Sequence, residues 1–535
     1  MVVNMSFQLK SVFISDDVDP RCVEVLKEYG IGVVIDTKLH LDKEKFLQEI
    51  SKHDGLIVRS ATKVTAAIIE AGKNLKIIGR AGTGVDNIDC DAATARGIIV
   101  MNTPGGNTLS AAEHTCALIC CLSRDIPNAV ATMRAGKWDR KNFMGSELYG
   151  KTLGIIGLGR IGKEVALRMQ SFGMTTIGYD PIIPGTVSAE FGVEWMELEH
   201  LWPRVDYITV HTPLIPQTTN LINDAVFAKC KARVRVVNCA RGGIIDEDAL
   251  LKALESGQCG GAGLDVYINE PPTDYKLAQH PKVIATPHLG ASTVEAQKRV
   301  AVEIAEQFVD LMKGKSLFGA INAQAMNNAL SPDTRPWVEL GRCLGTLLGK
   351  LGVNPKHGVS LLAYGQVLKN AGQYLSAAVL AGLLGNSTHC GCEGLNLNLV
   401  SAPALAKKLG IQVQVSMHDI ATNFHGPLVL VTIDNQTVGG TASGGQPLLE
   451  SINGTQFSPL AALSGQVIVF KASADPGLLA TIAGLIAGKG AHIQGLSVSG
   501  HKGGTQWGVV NLQTAPEVGL HGISAAVQSA FSISF

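Results

Sequence analysis

The sequence predicts an α/β protein: two doubly wound parallel-sheet units, then an α/β extension of different chemistry. Three observations predict it. Short β-branched runs alternate with amphipathic segments over the first hundred residues, the alternation restarts at Thr152, and charge becomes scarce beyond residue 320. Such alternation is the pattern of parallel strands joined by helices that cover the sheet.

In the first unit, strands are expected at Ser11–Ile14, Ile31–Ile35, Gly55–Val58, Leu75–Ile78 and Ile98–Met101, with helices such as Arg21–Tyr29 and Lys43–Ser51 between them. A long helix begins near Asn107 and carries Ala111, Ala112, Thr115, Cys116, Leu118 and Ile119 on its tighter faces. In the second unit, strands are expected at Leu153–Ile156, Thr175–Tyr179, Tyr207–His211, Val234–Cys239, Gly263–Val266 and Val283–Thr286, and six strands is the size of a full dinucleotide-binding sheet. A helix over Val294–Met312 stops at Gly314, a C-terminal cap. Beyond residue 320 only 18 of 215 residues are charged, against 72 of the preceding 320. There Gln466–Lys471, the turn Asp475-Pro476-Gly477, a helix over Leu478–Lys489 and strands at His492–Ser499 and Trp507–Gln513 read as a small βαββ module. Residues 323–464 form a separate α/β piece before it.

Composition narrows the function. Lys and Arg number 45, balanced by 45 Asp and Glu, which excludes the basic excess of a nucleic-acid or polybasic membrane binder. The first residues lack a basic region followed by a long apolar core, and no stretch approaches the ~20 apolar residues of a membrane span. Eleven scattered cysteines without a CxxC pair read as free thiols of a reducing cytoplasm, with no metal site. Glycine stands out at 60 of 535 residues. Thirty glycines fall in 1–320 and thirty in the shorter 321–535, so the back is the richer half.

The sharpest motif is Gly157-Leu158-Gly159-Arg160-Ile161-Gly162, which follows a strand and opens a helix. The first glycine permits a tight turn, the second lets a pyrophosphate approach the backbone, and the third lets helix and strand pack closely. Asp180 ends the next strand, where a carboxylate accepts both adenosine ribose hydroxyls and repels a 2′-phosphate, so NAD is expected rather than NADP. Arg241, Glu270 and His288 each follow an expected strand of that unit, at the carboxyl ends that line the ligand crevice. Hydride transfer from a secondary alcohol needs a base near neutral pKa, which suits His288. Glu270 suits the partner that orients the imidazole, and Arg241 offers a planar fork for a carboxylate. His211, in VHTP, reads as a wall of the cofactor site. In the front unit Arg59-Ser60 and Arg80 end adjacent strands and suit an anionic substrate, and Thr83 lies in the AGTG turn. Arg140 and Lys141 form a basic patch on a long loop.

GLGRIG with its following YDP, then HTPL, NCARGG, LDV…EPP and TPHLGAST resemble the D-2-hydroxyacid dehydrogenases. RSATKVT, GRAGTGVDN, MNTP and WDRKNFMG narrow the resemblance to their long, phosphoglycerate-oxidising branch. It implies NAD-linked oxidation of 3-phosphoglycerate to 3-phosphohydroxypyruvate, on the way to serine, with the His288–Glu270 pair and Arg241 in the catalytic roles. It implies that Arg59, Ser60 and Arg80 contact a phosphorylated 2-hydroxy acid, with Arg140 reaching in from a neighbouring subunit. Thr83, Gly157, Gly159, Arg160, Ile161, Gly162, Asp180, Thr212, Cys239 and Asp265 would line the cofactor. The implied organisation is a discontinuous substrate domain (1–104 with 294–319), a Rossmann-type NAD domain (105–293), an intervening domain (320–464) and an ACT-like module (465–535), in a cytoplasmic homotetramer or dimer. ACT modules that bind serine carry a His and an Asn just before the Pro-Gly turn. Here Ala472 and Ala474 stand there, which points to an assembly role. A glyoxylate, hydroxypyruvate or D-lactate reductase, and an NAD-sensing corepressor, are the alternatives on the same scaffold.

Overall fold

The computed structural model describes residues 8–392, 397–419, 426–473, 475–488, 490–514 and 527–535. The chain divides into two compact units, Met1–Asn102 with Ile304–Phe535, and Thr103–Glu303.

Five short parallel strands open the first unit: β1 (Ser11–Ile14), β2 (Gly32–Ile35), β3 (Gly55–Val58), β4 (Ile77–Arg80) and β5 (Ile99–Asn102), in the order β2-β1-β3-β4-β5. The order reverses between β1 and β3, and ligands of open α/β sheets gather at the carboxyl ends beside such a reversal. All four residues of β3 are buried, as expected of an apolar strand covered on both faces. On one face Phe13 meets Phe46 edge-on at 5.6 Å. On another, Phe308 and Ile304 of the Val294–Met312 helix lie so close that a Cβ on Gly79 would come within 2.6 Å of Phe308. Leu75 and Lys76 precede β4, so Arg80, expected just past its strand, is the strand's last residue.

The second unit holds seven parallel strands: β6 (Thr152–Ile156), β7 (Thr175–Tyr179), β8 (Glu194–Trp195), β9 (Tyr207–Val210), β10 (Val234–Asn238), β11 (Cys259–Leu264) and β12 (Val283–Ala285). Their order is β12-β11-β10-β9-β6-β7-β8, with the reversal between β6 and β9. The sequence pattern predicts six; β8 has two residues and no apolar run to signal it. β11 occupies Cys259–Leu264 rather than the expected Gly263–Val266. Its start, CGGAG, looks like a loop by composition, yet the strand is almost wholly buried. Gly263 there leaves room for Leu118 and Leu122 of the Thr108–Arg124 helix.

The low-charge back half belongs to the first unit and holds two further sheets. β13 (Val359–Tyr364), β14 (Val413–His418), β15 (Leu428–Ile433), β16 (Gln436–Ser443), β17 (Gln446–Ile452) and β18 (Thr455–Ala462) run in the order β14-β13-β15-β16-β17-β18, antiparallel except for β13 with β14. Two helices, Arg335–Lys350 and Gly372–Leu384, pack together at glycines: a Cβ on Gly345 would lie 2.1 Å from the Val379 carbonyl, and one on Gly382 2.1 Å from the Arg342 carbonyl. The second of these helices is apolar all round and almost entirely buried. Gly345 and Gly382, to which the sequence assigns no role, are thus contact points of a close helix pair.

The last sheet is antiparallel, β20 (Ile493–Val498), β21 (Thr505–Leu512), β19 (Gln466–Ser473) and β22 (Val527–Ser534) in that order, covered by the Leu478–Gly488 helix through Leu478, Ile482 and Ile486. β22 goes beyond the expected βαββ module; its serines dilute the apolar alternation that would announce it. Ala472 is buried in β19, whereas Ala474 lies outside the described residues.

Candidate active site

The Gly157–Gly162 turn follows β6 and opens the Arg160–Gln170 helix. Gly157 has φ +95°, and a Cβ there would lie 2.6 Å from the His211 carbonyl. On Gly162 a Cβ would come within 2.0 Å of the Gly157 carbonyl. Over Gly159, by contrast, no atom lies within 4 Å. Two glycines are therefore required by the protein's own packing, and the middle one leaves open space at a helix N-terminus, whose amides and dipole favour a phosphate. Asp180, one residue past β7, buttresses the turn: its Oδ2 accepts from Leu158 N at 2.8 Å, and its Oδ1 from Ile182 N and Ile183 N. Arg160 reaches the Pro104 carbonyl at 3.4 Å, and Ile161 is half-buried on the first turn of the helix. Past β9, the Thr212 Oγ1 is buried without a hydrogen-bond partner, an orphaned polar atom that a bound ligand would satisfy. The open space over Gly159 and this hydroxyl fit a dinucleotide.

Three loops at the carboxyl ends of β10, β11 and β12 carry the titratable groups. His288 Nδ1 lies 2.6 Å from Glu270 Oε2, and the other Glu270 oxygen accepts from Tyr267 N at 3.1 Å. Burial would raise the Glu270 carboxyl, but the hydrogen bond and charge of His288, the Tyr267 amide and the charge of Arg241 outweigh it and hold the group below the ordinary carboxylate value. Arg241 donates to the Ala240 carbonyl at 2.6 Å, and Asn238 Nδ2 holds the Arg241 carbonyl at 2.7 Å. Gly242 fits so tightly that a Cβ would meet the Tyr267 carbonyl carbon at 2.0 Å. The loop bearing Arg241 and the loop bearing Glu270 are thereby interlocked.

Beneath His288 lies a cluster that sequence reasoning does not assemble. Asp265 is fully buried and accepts from Thr286 Oγ1 at 2.6 Å, Leu289 N at 2.7 Å and Gly290 N at 2.8 Å, with His114 Nε2 at 3.2 Å. Burial raises its carboxyl, and these donors more than reverse the effect. The Asp265 carbonyl also receives His288 N at 2.9 Å, so one residue fixes the His288 loop through backbone and side chain alike. Cys239, whose thiol burial pushes up to about 12, lies close to His114 and Asp265. His211, one residue past β9, is half-buried by area but surrounded by protein; burial pushes its imidazole down to about 3 and it lies 3.0 Å from Thr209 Oγ1.

In the front sheet, Arg59 and exposed Ser60 follow β3 and Arg80 ends β4. Asn87 bridges them: its Oδ1 accepts from Arg80 Nε at 2.8 Å, and its Nδ2 donates to the Arg59 and Thr62 carbonyls at 2.7 and 2.6 Å. Buried Asp16 takes the Arg59 amide at 2.6 Å. Thr83 lies in the glycine-rich turn after β4, where its carbonyl accepts from Asn102 Nδ2. Arg140 is exposed on a short 3-10 turn beside Trp138, which is 81% exposed. Asp16, Asn87, His114 and Thr286 escape the sequence reading. Asp16 and Asn87 stand within two to seven residues of strand ends, a signal that becomes usable only once β3 is known to lie between β1 and β4.

Residues 116–290 match the NAD binding domain of D-isomer specific 2-hydroxyacid dehydrogenases, and 333–449 the D-3-phosphoglycerate dehydrogenase intervening domain. A D-3-phosphoglycerate dehydrogenase of Homo sapiens is 51% identical over 515 residues, 95% of each chain. The chain belongs to the D-3-phosphoglycerate dehydrogenase family. A family member from Synechocystis is 37% identical over 93% of this chain and 89% of its own. Among solved structures, D-lactate dehydrogenase from Aquifex aeolicus, complexed with NAD and lactic acid, is 29% identical with a TM-score of 0.51, covering 57% of this chain and 96% of its own. The family's NAD-dependent dehydrogenase chemistry therefore extends to this chain. Among the described residues no helix is long and apolar enough to cross a membrane.

Proposed function

We infer that the chain oxidises 3-phospho-D-glycerate to 3-phosphohydroxypyruvate with NAD, the first step of L-serine biosynthesis. The observation that carries the dehydrogenase chemistry is the 2.6 Å His288–Glu270 hydrogen bond, on loops past β11 and β12 of a sheet with an intact dinucleotide turn, and the phosphorylated substrate follows from membership of the family. NAD, when bound, supplies the acceptor for the hydride leaving the hydroxyl-bearing carbon. Glu270, ionised, accepts from His288 Nδ1–H, which fixes the tautomer and leaves Nε2 as the basic nitrogen. His288 Nε2 takes the hydroxyl proton as the carbonyl forms, and Glu270 stabilises the resulting imidazolium. Arg241 holds the substrate carboxylate and the developing carbonyl oxygen through its planar fork. Arg59, Ser60 and Arg80 receive the phosphate, with Arg140 contributed by a neighbouring subunit. Gly159 would leave room for the pyrophosphate beside Arg160 and Ile161, with Gly157 and Gly162 shaping the turn. Asp180 would take the ribose hydroxyls, Thr83, Thr212 and Cys239 would line the remainder of the cofactor, and buried Asp265 would act only through the His288 loop that it holds.

A homo-oligomer in the cytoplasm is part of the same reading, supported by Trp138, Met144 and Tyr149, exposed in the same stretch of chain as Arg140, and by eleven unpaired cysteines. The test runs the reaction backwards, following loss of NADH with phosphohydroxypyruvate, hydroxypyruvate, glyoxylate and pyruvate. Preference for phosphohydroxypyruvate is expected. Preference for an unphosphorylated acid would reassign the chain to a sister reductase, and NADH binding without turnover of any acid would favour a sensor.

A further inference from the structure

We propose that Asn87 is a positioning residue that locks the Arg80 guanidinium to the Arg59–Thr62 loop and so sets the preference for a phosphorylated substrate. The proposal rests on the reading of Arg59 and Arg80 as the phosphate anchors. The side-chain amide makes three polar contacts, one to Arg80 and two to the Arg59–Thr62 loop. Its oxygen accepts from Arg80 Nε at 2.8 Å, and its nitrogen donates to the Arg59 carbonyl at 2.7 Å and the Thr62 carbonyl at 2.6 Å. A guanidinium demands an acceptor and two carbonyls demand a donor, so only a primary amide of this length serves both sides. Asn87 thus joins the end of β4 to the loop after β3.

The far side of that loop is held independently. Asp16, 3% exposed, accepts from the Arg59 amide at 2.6 Å and the Thr62 amide at 3.2 Å, while Ser15 Oγ meets Thr62 Oγ1 at 2.9 Å. Asp16 therefore grips the loop by its N–H groups and Asn87 grips it by its carbonyls. Arg80 is confined in turn by the glycine turn, since a Cβ on Gly82 would lie 2.5 Å from its Nη1. With Nε committed to Asn87, the plane of the guanidinium is fixed, and orientation of that plane is what a two-pronged grip on a phosphate requires. A lysine at 80 would supply charge without this geometry.

The test compares the full-length enzyme and its variants with 3-phosphoglycerate and with unphosphorylated D-glycerate. Asn87→Ala should raise KM for phosphoglycerate about tenfold with kcat within about threefold, and leave KM for glycerate within about twofold. Asn87→Asp, isosteric but without a donor, should raise it further, because it turns an acceptor toward two carbonyls and neutralises Arg80. In an Arg80→Lys background the Asn87→Ala factor should shrink below about twofold, since the shared contact is already gone. Unchanged thermal midpoint and NAD affinity identify a variant that has folded, and Asn87→Ser, which keeps one hydrogen bond, replaces Ala if Ala does not fold. Equal KM factors for the two acids, or a full tenfold factor in the Arg80→Lys background, would overturn the proposal. If Arg80→Ala itself leaves KM unchanged, the reading of the anchors falls and the proposal with it. Should Arg80→Ala raise KM while Asn87→Ala does not, only the coupling falls.

Discussion

His288 has φ 55°, a left-handed conformation uncommon for residues other than glycine. It is held there by its amide on the Asp265 carbonyl and by the Leu289 and Gly290 amides on the Asp265 carboxylate. Strain of this kind at a proton-transfer residue persists only where neighbours over-determine it. His288→Ala should lower kcat by about 10²–10⁴, the usual contribution of a general base, and a wild-type rate in stopped assays would remove it from the mechanism. Glu270→Gln should also lower kcat, because an amide fails to stabilise the imidazolium, while leaving NAD affinity unchanged by fluorescence titration. His211 supports a stability prediction with a definite sign. The unfolded chain binds a proton on its imidazole near 6.5, but the folded chain resists until about 3. Between those values the unfolded state holds the extra proton, so this residue's contribution to stability falls as pH drops from 6.5 toward 3 and is constant above. Urea titrations at pH 7 and 4.5 should show His211→Gln losing less stability than the wild type over that interval; equal losses would contradict the assignment.

At the scale of elements, the dinucleotide turn separates structural from binding glycines. Gly162→Ala drives a methyl to within 2.0 Å of the Gly157 carbonyl and should lower the thermal midpoint by several degrees. Gly159→Ala meets nothing in the protein, so its thermal midpoint should hold while NAD affinity falls about tenfold or more, read by fluorescence titration. If both variants behave alike, the open space over Gly159 has no role. This division was legible in the residues from 157 to 162, because strand, turn and helix are consecutive and local rules govern them. Arg241, Glu270 and His288 were legible for the same reason, each following its own apolar strand. Asp16, Asn87 and His114 were not, since they act across strand neighbours, and the order β2-β1-β3-β4-β5 is a property of the sheet rather than of any segment. β11 shows the opposite failure: its glycines suggest a loop, yet they are small so that Leu118 and Leu122 fit against the strand.

Across the whole molecule, balanced charge conceals a charged front and a charge-poor back, and the structure gives that contrast a cause. The front sheets expose strand ends lined with arginines and carboxylates, whereas the back buries two helices against each other at Gly345 and Gly382. Composition shows charge becoming scarce beyond residue 320, and the structure shows two uses for the glycine there: close helix packing and left-handed turns such as Gly352 and Gly445. In the last sheet, Ala472 is buried in β19 without a polar group to offer an amino acid. Initial rates measured with millimolar L-serine should therefore equal those without it; strong inhibition would place a serine site in the chain after all. The decisive measurement is NADH formation at 340 nm from purified chain, NAD and 3-phosphoglycerate, beside D-glycerate and D-lactate at equal concentration. Phosphoglycerate turnover is expected with a kcat/KM at least ~10-fold above either unphosphorylated acid. Equal or greater turnover of D-glycerate or D-lactate would contradict it.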